Sequence, residues 1–169
     1  ASLVGSEMCI RDSISPVPIR MMNVEGEAKG YYHQTEKYIA IKEDMSNVQT
    51  MKTGIHEVSH ALLHDREVMD AEGVLKDQTT KEVEAESIAY IVCNHFGLDT
   101  SEYSFTYIAS WCESRDMKAL KASMDTIRKT SAEIIGNIEE QMHEIEMERP
   151  IRETFHREDV IPVSYTHLR

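Results

Sequence analysis

The chain has 169 residues, 41% of them hydrophobic and 28% charged, a composition typical of a globular domain with its own core. Its net charge of −12 argues against a broad basic surface for nucleic acid, and no apolar run approaches the roughly 20 residues needed to cross a bilayer. The three cysteines form no C-x-x-C pair, which argues against a disulfide framework or thiolate zinc site and favours a reducing, cytoplasmic setting.

Both ends of the chain look foreign to the rest. Residues 1–13 and 163–169 resemble translated adapter sequence, so they are left out of the fold prediction. We expect one domain over 14–149 and a tail over 150–169. Residues 14–28 contain two prolines and show no clear period, which indicates an irregular lead-in to the domain.

Residues 29–43 are predicted to form two short antiparallel strands. Aromatic and β-branched residues occur in two groups, Tyr31–Tyr32 and Tyr38–Ile41, on either side of a polar stretch. Alternation along the second group places Ile39 and Ile41 together on one face. We expect this small sheet to pack on the helix that follows.

The first predicted helix carries the motif H-E-x-x-H. Ser46 and Gln49 can form a capping box, and apolar residues then recur at spacings of three and four. His56 and His60 are four residues apart and therefore share one face, so both imidazoles could bind one tetrahedral Zn²⁺ ion. Glu57 lies beside them, where a carboxylate can act as a general base.

The segment after the motif is predicted to be a helix end followed by a loop. His64 is too far along the helix axis to reach the same metal. We expect it to lie at the end of the helix, where its ring interacts with the negative end of the helix dipole. Residues 65–79 are acidic and contain one glycine, which indicates a loop that includes one turn. The next helix is predicted to begin near residues 79–80 and to end before Gly97, with Leu98 packing back onto its last turn.

The second helix offers the third metal ligand. Glu82 and Glu86 share a face with small alanines that would let two helices approach closely, whereas Glu84 is predicted to point into solvent. We favour Glu82 as ligand, with Glu86 accepting an N–H bond from a ligand imidazole; the reverse assignment is the main alternative. Glu82 could instead complete a capping box with Thr79, and Glu86 could be a surface carboxylate.

Two further helices complete the predicted domain. The third follows the capping signal at Asp99–Glu102, and its Tyr103 or Tyr107 could present a hydroxyl to an oxyanion, although core packing is the commoner role. The fourth is long, from about Asp116 to Met147, with apolar residues at spacings of three and four. Pro150 is predicted to end it.

The order of these elements resembles the zincin-like metallopeptidases of the ImmA/IrrE type. The sequence that carries the resemblance is I-H-E-V-S-H-A-L-L-H at 55–64 and E-V-E-A-E-S-I-A-Y at 82–90. The run from Gly97 through Trp111 and the long helix look closer to the C-terminal domain of ArdC antirestriction proteins and to LtrC-like proteins of conjugative elements. The similarity covers residues 29–145.

The resemblance implies a zinc-dependent, gluzincin-like metallopeptidase that acts on a peptide or protein. His56, His60 and Glu82 would bind the metal, and Glu57 would be the general base. In ArdC-like proteins a single-stranded-DNA-binding domain precedes this one. The alternative function is therefore an accessory antirestriction or conjugation domain with a mainly structural zinc fold, in which single-stranded DNA binds through a preceding domain.

The predicted fold class is α+β. A mainly helical, zincin-like domain is expected, with a small antiparallel sheet packed on the H-E-x-x-H helix.

Overall fold

The computed structural model describes residues 13–100 and 111–158. Its elements in chain order are strands β1 (Ile19–Met22), β2 (Gly30–His33) and β3 (Tyr38–Lys42), followed by helices α1 (Asn47–Leu63), α2 (Arg66–Glu72), α3 (Gln78–His95) and α4 (Met117–Glu158). The predicted class, a mainly helical α+β domain with a small sheet, is confirmed. The ends predicted to be foreign lie outside the described residues apart from Ser13, as do Tyr103 and Tyr107.

The sheet has three strands in the order β1-β3-β2. The predicted hairpin is confirmed, since β2 pairs antiparallel with β3. The prediction of an irregular lead-in is wrong over Ile19–Met22, because β1 pairs parallel with β3 and makes the sheet mixed. A four-residue strand is too short to show a period in the sequence. Both prolines lie before the strand, where they remove no hydrogen bond between strands, and the carbonyl of Pro18 accepts the Ile39 N–H over 2.9 Å.

The helices stack on one face of the sheet. α1 contacts β2 and β3, α3 packs on α1, and α4 packs on α3. The Ser46 hydroxyl accepts the Gln49 N–H over 3.2 Å, which confirms the predicted start of α1. One hydrophobic core joins the sheet to α1, α3 and α4, and Ile39 and Ile41 both belong to it, on one face of the sheet as predicted. Among its most deeply buried residues are Ile39, Ile41, Ile55, Val58, Ile88, Val92, Ile134 and Ile138.

The prediction of a loop over 65–79 is wrong for its first half. α2 begins after Asp65, whose Oδ1 accepts the Glu67 N–H over 2.9 Å, and it ends at Gly73 in the left-handed region with φ of +64°. Seven residues are too few for a helical period to emerge from the sequence. α3 begins earlier than predicted, because Asp77 rather than Thr79 caps it through the Thr80 N–H at 2.8 Å.

The later helix ends confirm one prediction and correct another. Gly97 has φ of +68°, and the Leu98 N–H donates to the Cys93 carbonyl over 3.0 Å, as expected for the end of α3. The prediction that Pro150 ends the last helix is wrong, since α4 continues to Glu158. A proline inside a helix removes one backbone bond and crowds the preceding turn, at a cost of about 3 kcal/mol, so the sequence has no local explanation for this continuation. The domain limits stay a prediction.

None of the helices within 13–100 and 111–158 is both long and apolar enough to cross a membrane.

Candidate metal centre

Close packing of α1 against α3 creates the candidate site. Gly54 on α1 is buried, and Ala85 and Ala89 on α3 are fully buried. The small side chains of Ala85 and Ala89 leave room for α1 to pack on α3, as predicted from the sequence. The acidic face of α3 therefore lies directly beside the histidines of α1.

Three of the predicted side chains converge on one point. The Nε2 atoms of His56 and His60 are 3.1 Å apart. Glu82 places one carboxylate oxygen 3.5 Å from the Nε2 of His56 and the other 3.6 Å from the Nε2 of His60. Among the described residues, this is the group of acidic, histidine and cysteine side chains whose ligand atoms are close enough to share a metal ion.

The spacing of these atoms fits a tetrahedral zinc site. Zinc binds histidine nitrogen and carboxylate oxygen at about 2.0–2.1 Å, so two ligand atoms on a tetrahedron lie about 3.3 Å apart. The separation of 3.1 Å between the two Nε2 atoms lies close to that value, and each of these nitrogens has a different oxygen of Glu82 3.5 or 3.6 Å away. The side chains of His56, His60 and Glu82 are thus of the types that bind zinc and lie close enough together to share one metal ion.

Charge within the site favours a cation. Hydrogen bonds from His56 and His60 hold the pKa of the Glu82 carboxyl well below its usual range. Burial alone would lower the pKa of His56, but the hydrogen bonds to Glu82 and Glu86 outweigh it and raise that pKa to about 9. The carboxylates therefore attract positive charge to the position where His56 and His60 converge.

Glu86 and Glu57 lie around these three residues. The Glu86 Oε2 is 3.1 Å from the Nδ1 of His56, on the side of the ring that faces away from His60 and Glu82. Glu57 is buried, and burial raises the pKa of its carboxyl despite the opposing effect of the two histidines. Glu57 and His56 line two adjoining cavities of about 260 and 350 Å³.

Among the neighbouring residues, one prediction is confirmed and one is wrong. His64 lies at the end of α1 and outside the group that could share a metal, as predicted; it is also buried, and burial lowers its pKa. Glu84, predicted to be solvated, is fully buried. Its carboxylate oxygens are 2.9 Å from His64 Nε2, 2.7 Å from Lys76 Nζ and 2.7 Å from Ser123 Oγ.

The sequence carried no signal for the environment of Glu84. Burial raises its pKa, but the hydrogen bonds from His64, Lys76 and Ser123 outweigh burial and hold the pKa below its usual value. These partners belong to three separate segments, and only the packing of α4 on α3 brings Ser123 near. The helical period of α3 shows that Glu84 faces away from Glu82, but not what lies on that side.

The chain resembles known proteins over most of its described length. A family model described as "IrrE N-terminal-like domain", Peptidase_M78, matches residues 15–108, which include both histidines of the motif and all three glutamates of α3. An uncharacterized protein of Bacillus anthracis is 35% identical over 127 residues, which cover 73% of this chain and 21% of that protein. The chain therefore spans about a fifth of the length of this curated relative. No solved structure matches.

Proposed function

Because the chain belongs to the Peptidase_M78 family of IrrE N-terminal-like domains, we propose that it is a zinc-dependent metallopeptidase acting on a peptide or protein substrate. His56, His60 and Glu82 are the proposed metal ligands, and Glu57 is the proposed general base. The observation that carries the proposal is the convergence of two histidine nitrogens, 3.1 Å apart, with a carboxylate whose two oxygens lie 3.5 and 3.6 Å from them. All three residues line the 260 Å³ cavity, from which water or substrate can reach a fourth ligand position.

The hydrogen bonds of His56 support Glu82 rather than Glu86 as the third ligand. The Nε2 of His56 faces Glu82, whereas its Nδ1 faces Glu86 at 3.1 Å. An imidazole that gives one nitrogen to a metal commonly donates the other N–H to a carboxylate, which fixes the orientation of the ring. Glu86 is suited to that supporting role.

Glu57 is suited to moving a proton. A bound zinc ion supplies a Lewis acid that polarises the scissile carbonyl and lowers the pKa of water. The Glu57 carboxylate accepts a proton from the attacking water and then releases it to the nitrogen of the leaving amine. Because burial raises its pKa, this carboxyl holds a proton more readily than an exposed glutamate and is better matched to both steps.

The outer edge of β2 can hold an extended peptide beside these groups. No strand among the described residues pairs with that edge. The Lys42 N–H donates to the Lys29 carbonyl over 2.9 Å, so alternation directs the backbone groups of Gly30 and Tyr32 away from β3, where the Tyr32 N–H bonds to the Glu57 carboxyl. Both residues line the cavity that contains His56. A substrate strand added along this edge would pass the general base.

The test separates metal binding from hydrolysis. The full chain is expected to contain about one zinc ion by elemental analysis and to cleave members of a mixed peptide library, read by mass spectrometry. Glu57→Gln should keep the zinc and lose about 10²–10⁴-fold in cleavage rate, because the amide cannot accept the proton. His56→Ala should lose both the metal and the activity.

Matched variants define what would contradict the proposal. Glu82→Gln and Glu86→Gln remove one charge each from the same helix, and zinc affinity should fall further for Glu82→Gln. Cleavage that survives Glu57→Gln would show that the mechanism is wrong. A wild-type chain that binds no zinc when refolded with the metal would show that the whole site is wrongly assigned.

A further inference from the structure

A line of hydrogen bonds runs from His60 into the protein interior. The Nδ1 of His60 lies 3.0 Å from the Nδ1 of His64, and the Nε2 of His64 lies 2.9 Å from Glu84 Oε2. Glu84 also accepts from Lys76 Nζ at 2.7 Å and from Ser123 Oγ at 2.7 Å. His64 and Glu84 are 2% and 0% exposed, so water does not compete for these bonds.

The direction of each bond follows from the partners. A lysine ammonium can only donate, and the carboxylate of Glu84 that is paired with it has no hydrogen of its own, so its Oε2 is an acceptor for both Lys76 and His64. The Nε2 of His64 must then carry the hydrogen, which leaves its Nδ1 as the acceptor in a neutral ring. Burial next to the Lys76 ammonium disfavours a second positive charge on His64.

The bond between His64 and His60 decides which ring nitrogen of His60 carries the hydrogen. If the Nδ1 of His64 accepts, the Nδ1 of His60 must donate, and the lone pair of a neutral His60 is then on Nε2. Nε2 is the atom that lies 3.1 Å from His56 and 3.6 Å from Glu82. The buried bonds thus present the free lone pair to the point where the three side chains converge.

We propose that His64 and Glu84 are positioning residues that hold His60 as its Nδ1–H tautomer, with Nε2 directed at the metal. The inference rests on the proposed metal site and adds residues that the motif does not contain. His56 is held directly by Glu86. His60 is held through His64, whose own partner is the carboxylate of Glu84, and Ser123 on α4 donates to that carboxylate.

Zinc affinity of the full chain tests the proposal. In competition with a chromophoric chelator, His64→Phe should bind zinc 10–100-fold more weakly, the usual effect of losing such a supporting partner. Glu84→Gln retains an oxygen that can accept from His64, so its affinity should stay close to that of the wild type. The absorption spectrum of bound Co²⁺ should change in His64→Phe and not in Glu84→Gln.

Ser123→Ala is the matched control for damage to the buried cluster. It removes a bond to the other oxygen of Glu84 and leaves the line from Glu84 to His60 intact. Thermal unfolding of the zinc-free chains reports whether each variant is folded. The proposal is overturned if folded His64→Phe binds zinc like the wild type, or if Ser123→Ala loses as much affinity as His64→Phe.

Nitrogen-15 NMR of the wild-type histidine rings gives a test that needs no variant. In the zinc-free and zinc-loaded chain, His64 should show the Nε2–H tautomer; in the zinc-loaded chain, His60 should show Nδ1–H. An Nδ1–H tautomer for His64 overturns the inference even if zinc binds normally. A chain that binds no zinc overturns the metal site instead, and the two failures are therefore distinguishable.

Discussion

Three glutamates of α3 show how much one residue's surroundings decide. Glu82, Glu84 and Glu86 lie within five consecutive residues, yet their side chains are 42%, 0% and 22% exposed. One faces the converging histidine nitrogens, one is buried against α4, and one supports the far side of His56. Identical chemistry therefore supports three separate roles in the proposed site.

Gly30 lies at a close approach between β2 and α1. A Cβ added there would lie 2.7 Å from the Thr53 methyl, 2.8 Å from the Ala40 carbonyl oxygen and 3.5 Å from the Glu57 side chain. Gly30→Ala should therefore push the strand from the helix and lower the free energy of unfolding by about 1–3 kcal/mol. Urea unfolding measures this, and we expect peptide cleavage to fall because Glu57 moves relative to the edge of β2.

Gly136→Ala is the control for this substitution. Gly136 lies within α4, and a Cβ there would meet nothing within 4 Å. The change should leave cleavage unaltered and stabilise the chain by up to about 1 kcal/mol, because alanine favours a helix over glycine. Equal unfolding curves for Gly30→Ala and the wild type would contradict the packing argument.

At the scale of elements, Asp65 joins the end of α1 to the sheet. Its Oδ2 accepts from Tyr32 Oη at 2.6 Å and from Lys37 Nζ at 2.7 Å, while its Oδ1 caps α2 through the Glu67 N–H. Burial and this carboxylate together raise the pKa of Tyr32 to about 12. The contacts hold the β2–β3 hairpin against the corner between α1 and α2, next to the candidate site.

The ionised form of Asp65 should stabilise the fold in a pH-dependent way. Burial raises its pKa, but the bonds to Lys37 and Tyr32 outweigh burial and lower it. The stabilisation is therefore complete above the unfolded value of about 3.9 and is lost as the pH falls through the lower folded value. Asp65→Asn should cost roughly 1–2 kcal/mol at pH 7, and urea unfolding should show the difference from wild type shrinking below about pH 4.

Asp77→Asn is the comparison at the other helix start. Asp77 caps α3 and pairs with Arg115, but its side chain is 48% exposed. Asparagine caps a helix about as well as aspartate, and an exposed ion pair contributes little, so the loss should be smaller than at Asp65. A larger loss at Asp77, or a pH-independent loss at Asp65, would contradict this account.

At the scale of the whole molecule, the net charge of −12 bears on the predicted antirestriction role. Binding to single-stranded DNA depends on cationic side chains that displace counterions, and this chain has 18 lysines and arginines against 30 acids. We expect no binding of a fluorescent single-stranded oligonucleotide by the 169-residue chain, measured by anisotropy at 50 mM salt. Binding that weakens steeply with added salt would contradict this prediction, since the alternative function places DNA binding in a preceding domain.

Local sequence determined the elements that carry the chemistry. The spacing of apolar residues around His56 and the Ser46 cap identify α1 without reference to the rest of the chain, because a helical period and a cap depend on neighbouring residues. The hairpin and the turn at Gly97 follow from equally local signals. Strand β1 and helix α2 were not predictable in this way, since each is too short to show a period.

Only the tertiary structure decided what each side chain of the candidate site contacts. The sequence shows that Glu82 and Glu86 share one face of α3 and that Glu84 lies on another. The helical period does not show which residues of the other elements pack against each face. The packing of α3 between α1 and α4 places Glu82 at the histidine nitrogens and buries Glu84 against Ser123. Such contacts join residues far apart in the chain, and therefore the fold determines them.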